Sequence, residues 1–283
     1  MPIYDQSYHH WEGQLLLNPK TWFVIARNGI RMLWRRWMII LVIIASIPFL
    51  VRATQIYLIT GLGLEMMNLG QMARELEINT KFFLKFLSDQ TFFIILIVML
   101  SGSSLIARDK QFNALQLYFS KPVSQIDYIF GKLCIIGFFT SLVSLVPALI
   151  LFLIKIMLEE NFNFLTQNYW IPFSITGYWL MITLVFGGLI LALSALGRGS
   201  RFAGIGFFTI IVVTDIIEAI FSNFKNFGIV SITSDLRQVG DAMFGQQPSH
   251  EFSTLYAFLA LVLIIIISYF SLKMKVKGTE VVQ

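Results

Sequence analysis

Charge is what this sequence has least of. Only 13% of its 283 residues are Asp, Glu, Lys or Arg, against about a quarter in soluble domains. Cysteine is nearly absent too. The single Cys134 sits in an apolar run, which excludes an internal disulfide framework and reads as packing. No Asn-x-Ser/Thr acceptor occurs, so nothing points to glycosylation. No Gly-x-x-x-x-Gly-Lys-Ser/Thr run cradles a phosphate, so the chain does not bind ATP in that manner. His-Glu-x-x-His, Gly-x-Ser-x-Gly and Cys-x-x-Cys are all missing, which weakens any reading as a membrane enzyme. The first 20 residues, with Asp5, His9, His10 and Glu12, lack the basic-then-apolar order of a signal peptide. The chain is therefore expected to begin at Met1. His9-His10 has no further ligand spacing and reads as a solvated tail. No catalytic residue and no metal site is assigned.

What remains is apolar: 57% of residues are hydrophobic and the mean hydropathy is +0.75. A bilayer needs about 20 mostly apolar residues per helical crossing. Six stretches qualify: Trp37–Leu58, Thr91–Ile106, Phe130–Ile154, Gly177–Leu196, Phe202–Ile220 and Thr254–Leu272. The second is short, but Gly102, Ser103 and Ser104 can continue its helix. The fold class is an all-α membrane protein with six transmembrane helices.

Orientation follows from the basic residues. An even number of spans puts both termini on one side, and that side holds fourteen of the 21 Lys and Arg but five of the 16 acids. The positive-inside rule makes it the cytoplasmic side. This distribution also accounts for the net charge of +5 as membrane topology, so no nucleic-acid partner is expected.

Three segments flank or interrupt the spans. In Thr21–Trp37, Phe23, Ala26, Ile30, Leu33, Trp34 and Trp37 share one helical face, and Arg27, Arg31 and Arg35 recur on an adjoining one. That pattern predicts an amphipathic helix lying in the interface; the other reading is a frayed extension of the first span with snorkelling arginines. Residues 1–36 thus form an N-terminal cytoplasmic and interfacial region, 37–272 the membrane domain, and 273–283 a basic tail. The segment 221–253 is too apolar for a solvated loop, with Phe224, Phe227, Leu236, Val239 and Phe244 among others. It is expected to dip back toward the membrane or cap the protein from outside. Arg52, Lys155, Asp215 and Glu218 fall toward the outer ends of spans, where snorkelling or outer-interface pairing is expected ahead of the alternative, a substrate role.

The loop between spans two and three is the one sizeable inward loop. Phe112, Leu115 and Phe119 fit one face of a short helix, Pro122 breaks it, and Ser124 with Asp127 forms a variant capping box for a new helix. The stretch "IARDKQFNALQLYFSKPVSQIDYIFGKL" (Ile106–Leu133) resembles the first cytoplasmic loop of ABC-2 type transporter permeases. In that family a charged cluster leads into a Gly-Thr-Leu-Glu-like helix, a Pro-Val-Ser-Arg-like turn and a Gly-Lys. Here Asp109 and Lys110 match the cluster, Leu115 and Leu117 the helix, and Ser120, Pro122, Val123 and Ser124 the turn. Gly131-Lys132 matches the end. Asn113-Ala114 stands for Gly-Thr, Gln116 for the acid and Gln125 for the arginine.

The resemblance implies a permease of a prokaryotic cytoplasmic (inner) membrane, an exporter by type, paired with a second copy or a related permease. It further implies a separate cytoplasmic ABC ATPase that binds the ATP and Mg, while this chain binds no cofactor. The loop would be a coupling helix over 108–120. Phe112, Leu115 and Phe119 would then anchor in the ATPase, Arg108, Asp109 and Lys110 would orient the contact, and Ser120 and Pro122 would shape the turn. By the same similarity a translocation path would run between protomers, lined by Ser101, Ser103 and Ser104 of span two and Thr209 and Thr214 of span five. A membrane anchor or maturation partner for an ATPase, and an ion-coupled carrier, are the alternatives.

Overall fold

The computed structural model describes residues 20–61, 78–119, 123–159, 163–197, 199–221 and 227–276. Every regular element among them is helical. Helix α1 (Thr21–Leu33) precedes a first crossing built from α2 (Arg36–Ala45), α3 (Ile47–Ile56) and a π turn over Tyr57–Gly61. Helix α4 (Thr80–Asp89) passes through Gln90 into α5 (Thr91–Gly102), and the following loop carries α6 (Ala107–Gln111) and α7 (Ala114–Phe119). Helix α8 (Gln125–Thr140) continues through a π turn at Ser141–Leu145 into α9 (Val146–Leu158). Next come α10 (Asn163–Asn168), α11 (Ile171–Leu196) and α12 (Ser200–Ile220). After a 3-10 turn at Phe227–Val230, α13 (Ile232–Met243) and α14 (Thr254–Lys275) complete the chain.

Among the described residues six helical runs are long and apolar enough to cross a membrane: Arg36–Thr60, Thr91–Gln111, Gln125–Leu158, Phe164–Leu196, Ser200–Ile220 and Thr254–Lys275. Each contains the stretch expected from hydropathy. The shortest, at 21 residues, reach just over 30 Å at about 1.5 Å per residue, enough for a hydrocarbon core. The architecture is that of a multi-pass membrane protein. Burial sorts the spans: 50% and 56% of the second and fourth windows are buried, against 11% of the first and 22% of the fifth and sixth. The second, third and fourth spans are thus the centre, around Ile94, Ile97, Phe139 and Phe186, each fully buried. The outer spans present Ile43, Ile205 and Leu263, each more than half exposed, which suits lipid or another apolar surface.

Local chemistry sets the element ends. Asn79 accepts from the Phe82 amide, Ser124 from Asp127 and Ser231 from Ser234, three side-chain N-caps. The Ser124–Asp127 cap is the one the sequence predicts. Pro48, Pro147 and Pro172 stand in the first turns of α3, α9 and α11, where a missing N–H is harmless. Lys273 and Lys275 close α14 in the last turn, favourable to its dipole.

Four elements differ from the sequence expectation. Gly102, Ser103 and Ser104 do not simply extend the second span: α5 stops at Gly102, and residues 103–106 form a turn before α6. Ahead of the second span stands α4, a helix that hydropathy does not mark, which buries Phe82, Phe83, Leu84, Phe86 and Leu87. The fourth span starts well before Gly177, because α11 begins at Ile171 and α10 precedes it. In place of the single helix expected over 108–120 there are two short ones, Ala107–Gln111 and Ala114–Phe119, bent at Asn113, whose φ is +52°. Asn tolerates that left-handed conformation better than most residues. It stands where the resembled pattern has glycine, which accepts the same backbone.

Helix α1 is separate from the first span, divided from it at Trp34-Arg35. It packs against α8 through Ile25, Ala26 and Gly29, not through Phe23, which is exposed. Gly131 permits this approach: a Cβ there would lie 2.8 Å from the Trp22 carbonyl oxygen. Arg27, Arg31 and Arg35 point away from the core and are exposed. Trp34 stacks on Phe139 at 5.9 Å, so it serves as a packing residue at the helix end. Within the apolar segment, α13 lies against α12 and α14.

Candidate docking site at the loop end of the bundle

The break at residues 103–106 frees backbone groups, and one hydroxyl serves several of them. Ser194 Oγ accepts from the Ile106 amide at 3.2 Å and the Ala107 amide at 2.9 Å, and donates to the Ser103 carbonyl at 2.9 Å. One residue further along α11, the Ala195 carbonyl accepts from Lys110 Nζ at 2.7 Å. A cation at a helix C-terminus also meets the negative end of its dipole. The start of the loop is thus fixed to the end of the fourth span.

The other fixing point is Asp109. Its Oδ2 lies 2.7 Å from Lys132 Nζ and accepts from the Tyr128 hydroxyl at 2.6 Å. Lys132 is 6% exposed and also lies 5.3 Å from the centre of the Tyr128 ring and 5.9 Å from that of Tyr118. Burying an ammonium group is expensive without a partner, so Asp109 and two ring faces share the task. Tyr118 and Tyr128 meet edge to face at 5.3 Å, which seats α7 on α8. Burial first, and then Asp109, push the Tyr118 hydroxyl pKa up, so this phenol stays neutral. The loop is held by charge, hydrogen bonds and ring contacts to the second, third and fourth spans together.

What such a mount presents outward decides its use. Phe112 is 74% and Leu117 68% exposed, whereas Leu115 is 7% exposed and part of the core. The expectation that Leu115 is an outward anchor is therefore corrected: the bend at Asn113 turns α7 so that Leu115 faces in and Leu117 faces out. Arg108 is exposed, while Asp109 and Lys110 are engaged within the chain. Ser120 and Pro122 lie outside the described residues, as does the side chain of Phe119. Beside the loop a cleft of about 300 Å³ opens, lined by Asn28, Arg35, Trp37, Ser104, Arg108 and Tyr118 among others.

The residues expected along a path stand in different settings. Ser101 is fully buried and donates to the Ile97 carbonyl at 2.7 Å. Thr214 donates to the Ile211 carbonyl, and Thr209 is exposed on α12. The Ser103 carbonyl meets Ser194, and Ser104 lines the loop-end cleft.

At the opposite end the sequence reading passed over a second polar cluster. Asp215 accepts from Ser231 Oγ and Thr233 Oγ1, both at 2.7 Å. Glu218 accepts from Ser234 Oγ and lies 3.6 Å from His250 Nδ1. Asp235 is 1% exposed, and its buried Oδ1 has no hydrogen-bond partner among the described residues. Desolvation, then the neighbouring Glu218, push its pKa up to about 8, so it holds a proton at neutral pH. These bonds clasp the end of α12 to the start of α13. Asp215 and Glu218 were noticed in the sequence as span-end charges; their hydroxyl partners lie 16 to 18 residues away, and no short motif marks them.

Among the described residues no group of three or more His, Cys, Asp or Glu is placed to hold a metal ion. No family model matches the chain, and no curated protein matches it.

Proposed function

We propose that the chain is the membrane-spanning subunit of an ATP-driven transporter of the ABC-2 permease type, and that the 107–119 loop receives force from a separate cytoplasmic ATPase. The observation that carries the reading is the Asp109–Lys132–Tyr128 mount, which holds the loop to the central spans while Phe112 and Leu117 stay uncovered. A docking element has to be stiff toward its own protein and apolar toward its partner. Asp109 and Lys132 are two of the three charged residues in the motif that resembles this family, so the resemblance and the mount share these groups. The chain shows no nucleotide-binding run of its own, so ATP and Mg belong to the partner, and a second permease would complete the path. The loop end is the cytoplasmic side, by the distribution of Lys and Arg.

The test is co-purification in mild detergent. A nucleotide-binding protein should accompany the native chain, and Phe112→Asp with Leu117→Asp should release it while the six-span protein stays folded. Retention of the ATPase by that variant, or no ATPase with the native chain, overturns the reading. One observation favours a second reading, an ion-coupled carrier: the buried, protonated Asp235 beside Glu218. Transport in liposomes driven by a proton gradient, with no ATPase present, would select it.

A further inference from the structure

At the end of the bundle away from the 107–119 loop, α4 and α13 face each other across a cleft of about 520 Å³. This volume is within the range of small-molecule sites. Its rim carries Lys81 and Lys85 from α4 and Arg237 from α13, with Asp89 and Asp241 as the acids and Leu84 as an apolar floor.

The two acids only partly neutralise the three cations. Asp89 is already paired with Arg52 at 2.7 Å, so Asp241, 5% exposed with its Oδ2 accepting from the Ser249 amide at 2.8 Å, is the one lining carboxylate left to offset them. None of Lys81, Lys85 and Arg237 has an ion-pair partner among the described residues. Lys81 and Lys85 stand four apart on one helix, where like charges repel, and Arg237 approaches from the facing helix. Three cations against one carboxylate leave the concavity with an excess of positive charge, which raises the local potential for anions above that of an isolated lysine. Arg with two lysines supplies both the planar fork and the point charges that recognise phosphate.

We propose that this cleft is a binding site for a phosphate-bearing ligand, either the headgroup of an anionic lipid or a soluble organic phosphate. The proposal stands apart from the docking reading, because it uses neither the loop nor an ATPase.

Two arms separate the sources. In the first, native mass spectrometry of the protein from mixed micelles counts adducts of phosphatidylglycerol against phosphatidylcholine. In the second, lipid-depleted protein in a neutral detergent is titrated with glycerol 3-phosphate and with inorganic pyrophosphate by calorimetry. The variant is Lys81→Gln with Lys85→Gln and Arg237→Gln; all three side chains are exposed, and a thermal melt checks folding. Lys273→Gln with Lys275→Gln, at the other end, is the control, and Arg237→Gln alone is the fallback if the triple variant does not fold. Binding should appear in at least one arm and weaken by about ten-fold or more in the triple variant, with the control within about two-fold. Phosphatidylglycerol selectivity alone identifies a lipid headgroup; binding of the soluble phosphates identifies a free ligand. No binding in either arm, or equal binding by the rim variants, overturns the proposal.

Discussion

Removing the Asp109 carboxylate tests the mount directly, because its partner cannot follow it into water. Lys132 is 6% exposed and reaches Asp109 at 2.7 Å. Deleting one member of a buried pair leaves the other charged and unpaired, which costs about 3–5 kcal/mol. The rings of Tyr128 and Tyr118 remain at 5.3 and 5.9 Å and offset about 1 kcal/mol of that. Asp109→Ala should therefore destabilise the protein by about 3 kcal/mol. Lys132→Met should cost less, about 1–2 kcal/mol, because Asp109 retains the Tyr128 hydroxyl at 2.6 Å and its side chain is 18% exposed. In the double variant no charge is stranded, so its loss should be about 2 kcal/mol smaller than the sum of the singles. The assay is equilibrium unfolding in mixed micelles followed by tryptophan fluorescence, with Trp22 and Trp34 packed near the third span. Additive losses in this cycle would show that the ion pair does not fix the loop to the central spans, and would count against docking of an ATPase there.

Leu115→Asp should unfold or loosen the loop itself, by about 3 kcal/mol for a carboxylate at a buried site, whereas Phe112→Asp and Leu117→Asp should stay within about 0.5 kcal/mol; thermal melts of the three variants decide it. Asp235→Asn should flatten the pH dependence of stability. The folded pKa of about 8 exceeds the ordinary 3.8, so the folded state holds a proton that the unfolded state releases. The contribution of Asp235 is therefore fully present below about pH 4 and is lost as pH rises toward 8. Unfolding midpoints of native and variant protein across that window should converge at the acidic end and favour the variant at the alkaline end; parallel curves would refute it. Gly131→Ala should push α1 off the third span, since its Cβ would meet the Trp22 carbonyl at 2.8 Å. A loss of about 1–3 kcal/mol and faster proteolysis near Arg27 and Arg31 are expected, and unchanged cleavage would count against the packing of α1.

The six crossings were legible in the chain, because length and hydropathy are local properties and a bilayer fixes the length. The Ser124 cap was equally legible, since both partners lie within one helical turn. The faces of the helices were not. In a span such as Ile171–Leu196 apolar residues run all round, so periodicity does not say which side meets protein and which meets lipid. The inward turn of Leu115 depends on the bend at Asn113, and the end of α5 at Gly102 depends on Ser194, 91 positions beyond Ser103. Asp109 and Lys132 were read separately, as members of a motif; only folding brings them within 2.7 Å. The cleft lined by Lys81, Lys85 and Arg237, likewise, needs α4 and α13 side by side, two segments about 150 residues apart. Sequence by itself determined how often the chain can cross and where charge may stand at its ends. Tertiary structure decided which of those charges meet, because a helix offers its neighbours a face that no single segment can specify.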